Sequence, residues 1–161
     1  MSRYLPVTLA TLLLAGCGFA LRGTATLPAA LQPLYLEGVN DSTPIRRELQ
    51  RVLVDNRVSL ADDLKSSSFS LAVGNEQSTE RALSVNANAR AGEYEIVMSA
   101  NYQIRKGTAA AQSPQTVTVT KVYLADPENA IAKTEEANII RNEMRREMAQ
   151  LILRRLQAFK P

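Results

Sequence analysis

The chemistry of this chain begins with one thiol. Cys17 is the only cysteine among 161 residues, and it follows Leu14-Ala15-Gly16 at the end of an apolar run. Met1-Ser2-Arg3 supplies a short positive start before that run. The stretch from Leu5 to Ala15 is too short to cross a hydrocarbon layer of ~30 Å as a helix, so it reads as an export leader and not as a transmembrane anchor. Leu14-Ala15-Gly16-Cys17 fits the bacterial lipobox pattern, in which small residues enter a signal-peptidase groove and the cysteine sulfur receives a diacylglyceryl group before cleavage. Residues 1–16 are therefore expected to be a cleaved signal peptide and Cys17 the lipidated first residue of the mature chain. The alternative is an ordinary secreted protein with an incidental thiol, and an unpaired thiol in an oxidising compartment is a liability. Lipidation removes it. Each buried methylene contributes about 0.8 kcal/mol, so two or three acyl chains hold a domain at a membrane surface. Gly18 stands where an aspartate would favour inner-membrane retention. The expected location is the outer membrane, anchored on its periplasmic side, with no cofactor beyond the covalent lipid.

Other reactive constellations are missing from the residue types. There is no histidine, the one cysteine is committed to lipid, and no spacing suggests a metal site, a phosphate-binding glycine loop or a base-activated nucleophile. Ser–Lys and paired-carboxylate mechanisms remain open by counting, and nothing points to them, so no catalytic residue is expected. A formal charge of +3 spread along the chain lacks the clustered Lys/Arg and interleaved aromatics of a nucleic-acid surface.

The mature chain of roughly 145 residues suits one domain with a single core. With 45% apolar, 22% charged and only 5% aromatic residues, that core should be aliphatic. Residues 17–32 read as the lipidated N-terminus and an extended tether, leaving 33–161 as the domain. Leu34-Tyr35-Leu36-Glu37 is a short strand candidate. "DSTPIRRELQRVLVDNRVSL" then switches to helical period, with Ile45, Leu49, Val52 and Leu53 on one face and Arg46, Arg47, Gln50 and Arg51 on the others. A new strand near Val58 would complete a βαβ unit, whose strands are parallel if they pair.

Phe69, Leu71 and Val73 alternate with small polar residues as a further strand, and 74–92 reads as a loop. "EYEIVMSANYQIR" carries the clearest alternation, placing Tyr94, Ile96, Met98, Ala100, Tyr102 and Ile104 on one face. "TVTVTKVYL" at 116–124 follows across a flexible connection at 106–115. From about Ile131 one long amphipathic helix shows Ala137, Ile140, Met144, Met148, Leu151, Ile152, Leu156 and Phe159 at spacings of three and four. The expectation is an α+β two-layer sandwich in the order β-α-β-β-β-α, with two helices on one face of a roughly four-stranded mixed sheet.

Several segments together resemble the LptE family, the lipopolysaccharide-assembly lipoproteins of the Gram-negative outer membrane. They are the lipobox with "CGFALRG", Gly92-Glu93-Tyr94-Glu95-Ile96, "DPENAIAK" at 126–133 and "EMRREMAQLILRRL" at 143–156. The resemblance covers essentially the whole chain. It implies a non-enzymatic protein that plugs the outer-membrane β-barrel LptD as a 1:1 heterodimer, supports that barrel's assembly and binds lipopolysaccharide. A barrel lumen is polar, which suits wet strand faces rich in Ser, Thr, Asn and Gln. The resemblance also implies two basic contacts to lipopolysaccharide: Lys133 in "NAIAK" matches the family's lysine after the turn, and Arg90, the one cation of "VNANARAGEYE", stands near the second. Read without it, Lys133 is a solvated residue at a helix start and Arg90 a solubilising loop cation. Two rivals remain: an auxiliary lipoprotein of a lipid-trafficking ABC system, and an envelope hydrolase tethered by Cys17.

Overall fold

In a computed structural model the residues described are 27–38, 43–85, 91–126 and 129–160. Cys17, the leader 1–16 and Arg90 lie outside them. Strand β1 (Leu34–Leu36) leads to helix α1 (Pro44–Asp55), then come β2 (Leu60–Ala61), β3 (Phe69–Val85), β4 (Ala91–Lys106), β5 (Ala109–Ala110), β6 (Gln115–Leu124) and helix α2 (Ala130–Ala158). β1 lies parallel to both β2 and β3, β3 pairs antiparallel with β4, and β4 carries β6 and the short β5 on its other edge. Both helices cover one face of this mixed sheet, the expected α+β sandwich. The two-residue β2 is the strand expected near Val58, and the additional strand is the two-residue β5.

Local chemistry explains the element limits. α1 starts at Pro44, whose missing N–H has no partner in a first turn anyway. It ends where Arg57 takes a left-handed φ of 59°. There the Arg57 N–H reaches the Val54 carbonyl and the Val58 N–H reaches that of Leu53, the paired closure that satisfies a helix's last carbonyls. Asn129 caps α2 by accepting from the Ala132 N–H at 3.0 Å.

The core is aliphatic. Leu34, Leu71, Ile96, Met98 and Ile104 of the sheet meet Ile45, Leu49 and Leu53 of α1 and Met144, Met148 and Ile152 of α2, all fully buried or nearly so. Three sequence expectations change. Leu27 and Leu31 are buried in this core, so residues 27–32 pack as part of the body instead of trailing as the end of a tether; two leucines beside an open hydrophobic layer bury apolar area that a free segment would leave in water.

The stretch 74–85 is strand, not loop. A bulge between Gly74 and Gln77, with Asn75 at φ 52°, shifts the register. Before it the odd residues Phe69, Leu71 and Val73 face the helices; after it the even residues do, since Ser78 pairs with Met98 and Glu80 with Ile96. One extra residue in a strand reverses its facing, which also hides the alternation.

The third change is Arg46, which lies in the core-side layer instead of on an outer helix face. It is buried, and its Nε and Nη2 donate to the carbonyls of Glu37 (2.9 Å) and Leu36 (3.3 Å) at the end of β1. Replacing it with alanine strands two carbonyls and should cost about 2 kcal/mol, read as a lower urea midpoint at unchanged slope. An unchanged midpoint would show that water replaces the guanidinium without loss.

Candidate functional site

The register shift in β3 sets up the site. It turns Glu80 toward the N-terminal half of α2. Lys133, one turn into α2, places its Nζ 3.1 Å from Glu80 Oε1, and Arg141, two turns further on, places Nη2 2.7 Å from Oε2. The Tyr123 hydroxyl, from β6, donates to Oε1 at 3.1 Å. Tyr123 stacks on Tyr94 of β4 with ring centroids 5.5 Å apart, and the Lys133 ammonium lies 3.6 Å from the Tyr94 centroid. The lysine is therefore held on two sides, by a carboxylate and by an aromatic face. Its side chain is 29% exposed, with Arg141 at 25% and Glu80 at 22%. That corrects the reading of Lys133 as a freely solvated helix-start residue: apolar Tyr94 and anionic Glu80 both draw the chain inward.

The charges respond to this packing. Burial pushes the Glu80 carboxyl up, but the bonds from Lys133 and Tyr123 and the charges of Lys133 and Arg141 outweigh it, so Glu80 stays ionised below its ordinary range. Burial likewise disfavours the Lys133 ammonium, and the Glu80 carboxylate reverses that and holds it protonated. Tyr123 is pushed up to about 12, first by burial and then by donating to Glu80. Two cations around one carboxylate leave the cluster positive by one. One turn along α2 the pattern repeats: Arg145 Nε lies 2.8 Å from Glu76 Oε1.

A pH consequence follows from the depressed Glu80 value. Its contribution to stability is complete above the unfolded value of 4.5 and is lost as pH falls through the lower folded value. Thermal melts of the wild type and Glu80→Gln should therefore differ most near neutral pH and draw together as the pH falls below 4.5 and through the lower folded value. A difference that stays constant as the pH is lowered into the acid range would contradict the assignment.

Of the residues expected to act, Lys133 lies in this cluster, whereas Cys17 and Arg90 lie outside the described residues. Sequence reading missed Glu80, placed within a supposed loop, and did not single out Arg141. Spacing gave no signal for the pairing, because four residues span about 13 Å on the strand that holds Glu76 and Glu80 and about 6 Å on the helix that holds Arg141 and Arg145. Among the described residues no group of acidic, histidine or cysteine side chains could hold a metal ion, and no helix is long and apolar enough to cross a membrane.

Comparison with known proteins agrees with this architecture. The family profile described as LptE, lipopolysaccharide-assembly, matches residues 31–156. The LPS-assembly lipoprotein LptE of Pectobacterium atrosepticum is 34% identical over 149 residues, covering 92% of this chain and 80% of the relative. That of Yersinia pestis is 33% identical over 149 residues, covering 92% and 72%. Among solved structures, lipoprotein B from Nitrosomonas europaea superposes with a TM-score of 0.71 at 25% identity, over 88% of this chain and 92% of that one. The rare lipoprotein B of Shewanella oneidensis gives 0.68 at 24% identity, over 78% and 93%, a likeness of fold. The role named for the family is an assembly role and specifies no catalysed reaction. With the profile spanning most of the chain and curated relatives matching nearly all of it, the chain belongs to the LptE family of lipopolysaccharide-assembly lipoproteins.

Proposed function

We propose that this lipoprotein plugs and helps assemble an LptD-type outer-membrane β-barrel as a 1:1 heterodimer, and binds lipopolysaccharide through its phosphates. The lipid on Cys17 anchors it to the periplasmic leaflet of the outer membrane. The observation that carries lipid binding is the net-positive cluster of Lys133 and Arg141 around Glu80. Guanidinium and ammonium groups beside an aromatic face suit a phosphorylated glycolipid, because charge-assisted donors meet the phosphate while the ring meets the sugar. The resemblance adds Arg90, which lies outside the described residues, as a further lipopolysaccharide contact. The sheet face away from the helices carries Arg81 bonded to Glu95 and Thr116 bonded to Asn101, polar surface that suits a wet barrel lumen.

In this reading a lipid phosphate takes the place of the Glu80 carboxylate on Lys133. Glu80 then competes with the ligand, and its removal should help binding. Glu80→Gln, which keeps an acceptor for Tyr123, is expected to tighten lipopolysaccharide binding about threefold to tenfold by equilibrium titration. Weaker binding by a folded Glu80→Gln protein would overturn the competition.

The partner is tested by pulling down the tagged lipoprotein from outer membranes in mild detergent. A stoichiometric large β-barrel is the expected companion. Recovery of no barrel, or of an inner-membrane transporter, would overturn the plug reading; the latter would favour the auxiliary lipoprotein of a lipid-trafficking ABC system.

A further inference from the structure

Four arginines share one groove between the helices. A cavity of about 410 Å³ lies between the start of α1 and the middle of α2, lined by Arg47, Glu48 and Arg51 on one side and Asn142, Arg145 and Arg146 on the other. Three ion pairs tie α2 to the sheet: Lys121 with Glu143, Arg141 with Glu80 and Arg145 with Glu76. Among the described lining residues of the groove one carboxylate, Glu48, stands with Arg47, Arg51 and Arg146, while Arg145 is neutralised from outside it by Glu76 and the Glu143 charge also acts on Arg146. Glu48 spends one oxygen on Arg51 at 2.7 Å and the other on Arg146 at 3.4 Å. Arg145 is committed to Glu76 and Asn142. Arg47 has no ion-pair partner among the described residues, and it stands four residues from Arg51, a like-charge spacing that disfavours the helix. The N-terminus of α1 opens on the same groove at Pro44 with no acidic residue in its first turn, which adds the positive end of the helix dipole.

The surplus calls for an anion, and the lining narrows its class. Arg47, Arg51 and Arg146 keep most of their N–H donors unused, in the planar forks that grip phosphate oxygens. Asn142 and Glu48 can bond hydroxyl groups. Among the described residues no apolar or aromatic side chain apart from Pro44 lines the groove, so that lining favours a polar, charged ligand over an acyl chain or a nucleobase. The volume admits one phosphorylated monosaccharide.

We infer that this groove binds a phosphorylated sugar. The site is separate from the Lys133 cluster and does not rest on it. Lys133 lies twelve residues along α2 from Arg145, roughly 18 Å at 1.5 Å per residue, whereas Arg141 of its cluster lies four residues away, roughly 6 Å, so substitution at 133, and not distance, tells the two sites apart.

The test titrates the full chain in detergent micelles with glucosamine 6-phosphate, and in parallel with glucosamine and with inorganic phosphate, following backbone amide shifts. The sugar phosphate should saturate, at a midpoint about fivefold below inorganic phosphate, and glucosamine should not saturate. Arg47→Glu, which breaks no ion pair, should raise that midpoint about tenfold, Arg146→Gln should raise it less, and Lys133→Gln should leave it unchanged. A bisphosphorylated glucosamine lipid added to the micelles separates the two sources. Competition that Arg47→Glu abolishes assigns the groove to a lipid headgroup, whereas saturation without competition assigns it to a soluble sugar phosphate. The inference falls if the wild type fails to saturate, if inorganic phosphate saturates equally well, or if folded Arg47→Glu binds as the wild type does. A loss on Lys133→Gln together with an unchanged Arg47→Glu would move the anion to the other cluster.

Discussion

A Lys133→Glu substitution is expected to weaken lipopolysaccharide binding by about 10- to 100-fold while leaving the fold in place. The argument is one of charge and geometry. Lys133 and Arg141 flank Glu80 and leave the cluster positive by one; glutamate at 133 makes it negative by one. A charge-assisted bond to phosphate contributes about 1.5–3 kcal/mol, which is roughly one to two decades of affinity before repulsion is added. Stability should fall by only about 1 kcal/mol, because Arg141 and the Tyr123 hydroxyl still hold Glu80. Unchanged binding by the folded variant would remove Lys133 from the site. A large loss of stability would mean that its principal role is to tie α2 to the sheet.

Ile152→Ala should give the largest loss of stability, about 3 kcal/mol, with a melting temperature lower by about 10 °C. Ile152 is fully buried on α2 in the layer that also holds Leu49 of α1 and Met98 of β4. Truncation leaves a cavity that these packed neighbours cannot close. Ile131 and Ile139 lie on the same helix but are 79% and 59% exposed. Alanine at either should change stability by less than about 0.5 kcal/mol. Equal losses at 152 and 139 would refute the assigned facing of α2.

The α+β arrangement was legible because burial imposes strong periods. In β4 the alternation of Tyr94, Ile96, Met98, Ala100, Tyr102 and Ile104 points one face at the helices, and all but the partly buried Tyr94 are buried. In α2 the stripe through Ala137, Met144, Met148, Ile152 and Leu156 is the buried one. The parallel pairing of β1 with β2 near Val58 follows from the helical crossover between them.

What escaped reading has equally physical reasons. The second half of β3 points Ser78 and Glu80, not apolar residues, toward α2, and the bulge after Gly74 breaks the alternation that would have announced a strand. Arg46 was assigned outward by polarity, and nothing local reveals the two carbonyls that draw it inward. Lys133 was singled out by resemblance alone. Its partners Glu80, Tyr94, Tyr123 and Arg141 come from four separate elements, a proximity visible only once those elements are packed together.

The most direct test of phosphate recognition at this cluster compares binding of bisphosphorylated lipid A with binding of its dephosphorylated form, in the wild type and in Lys133→Gln. The expected result is a preference of about tenfold or more for the phosphorylated lipid in the wild type, and little or none in the variant. Equal affinity of the wild type for both lipids, or a preference that survives in the variant, would contradict phosphate recognition by Lys133.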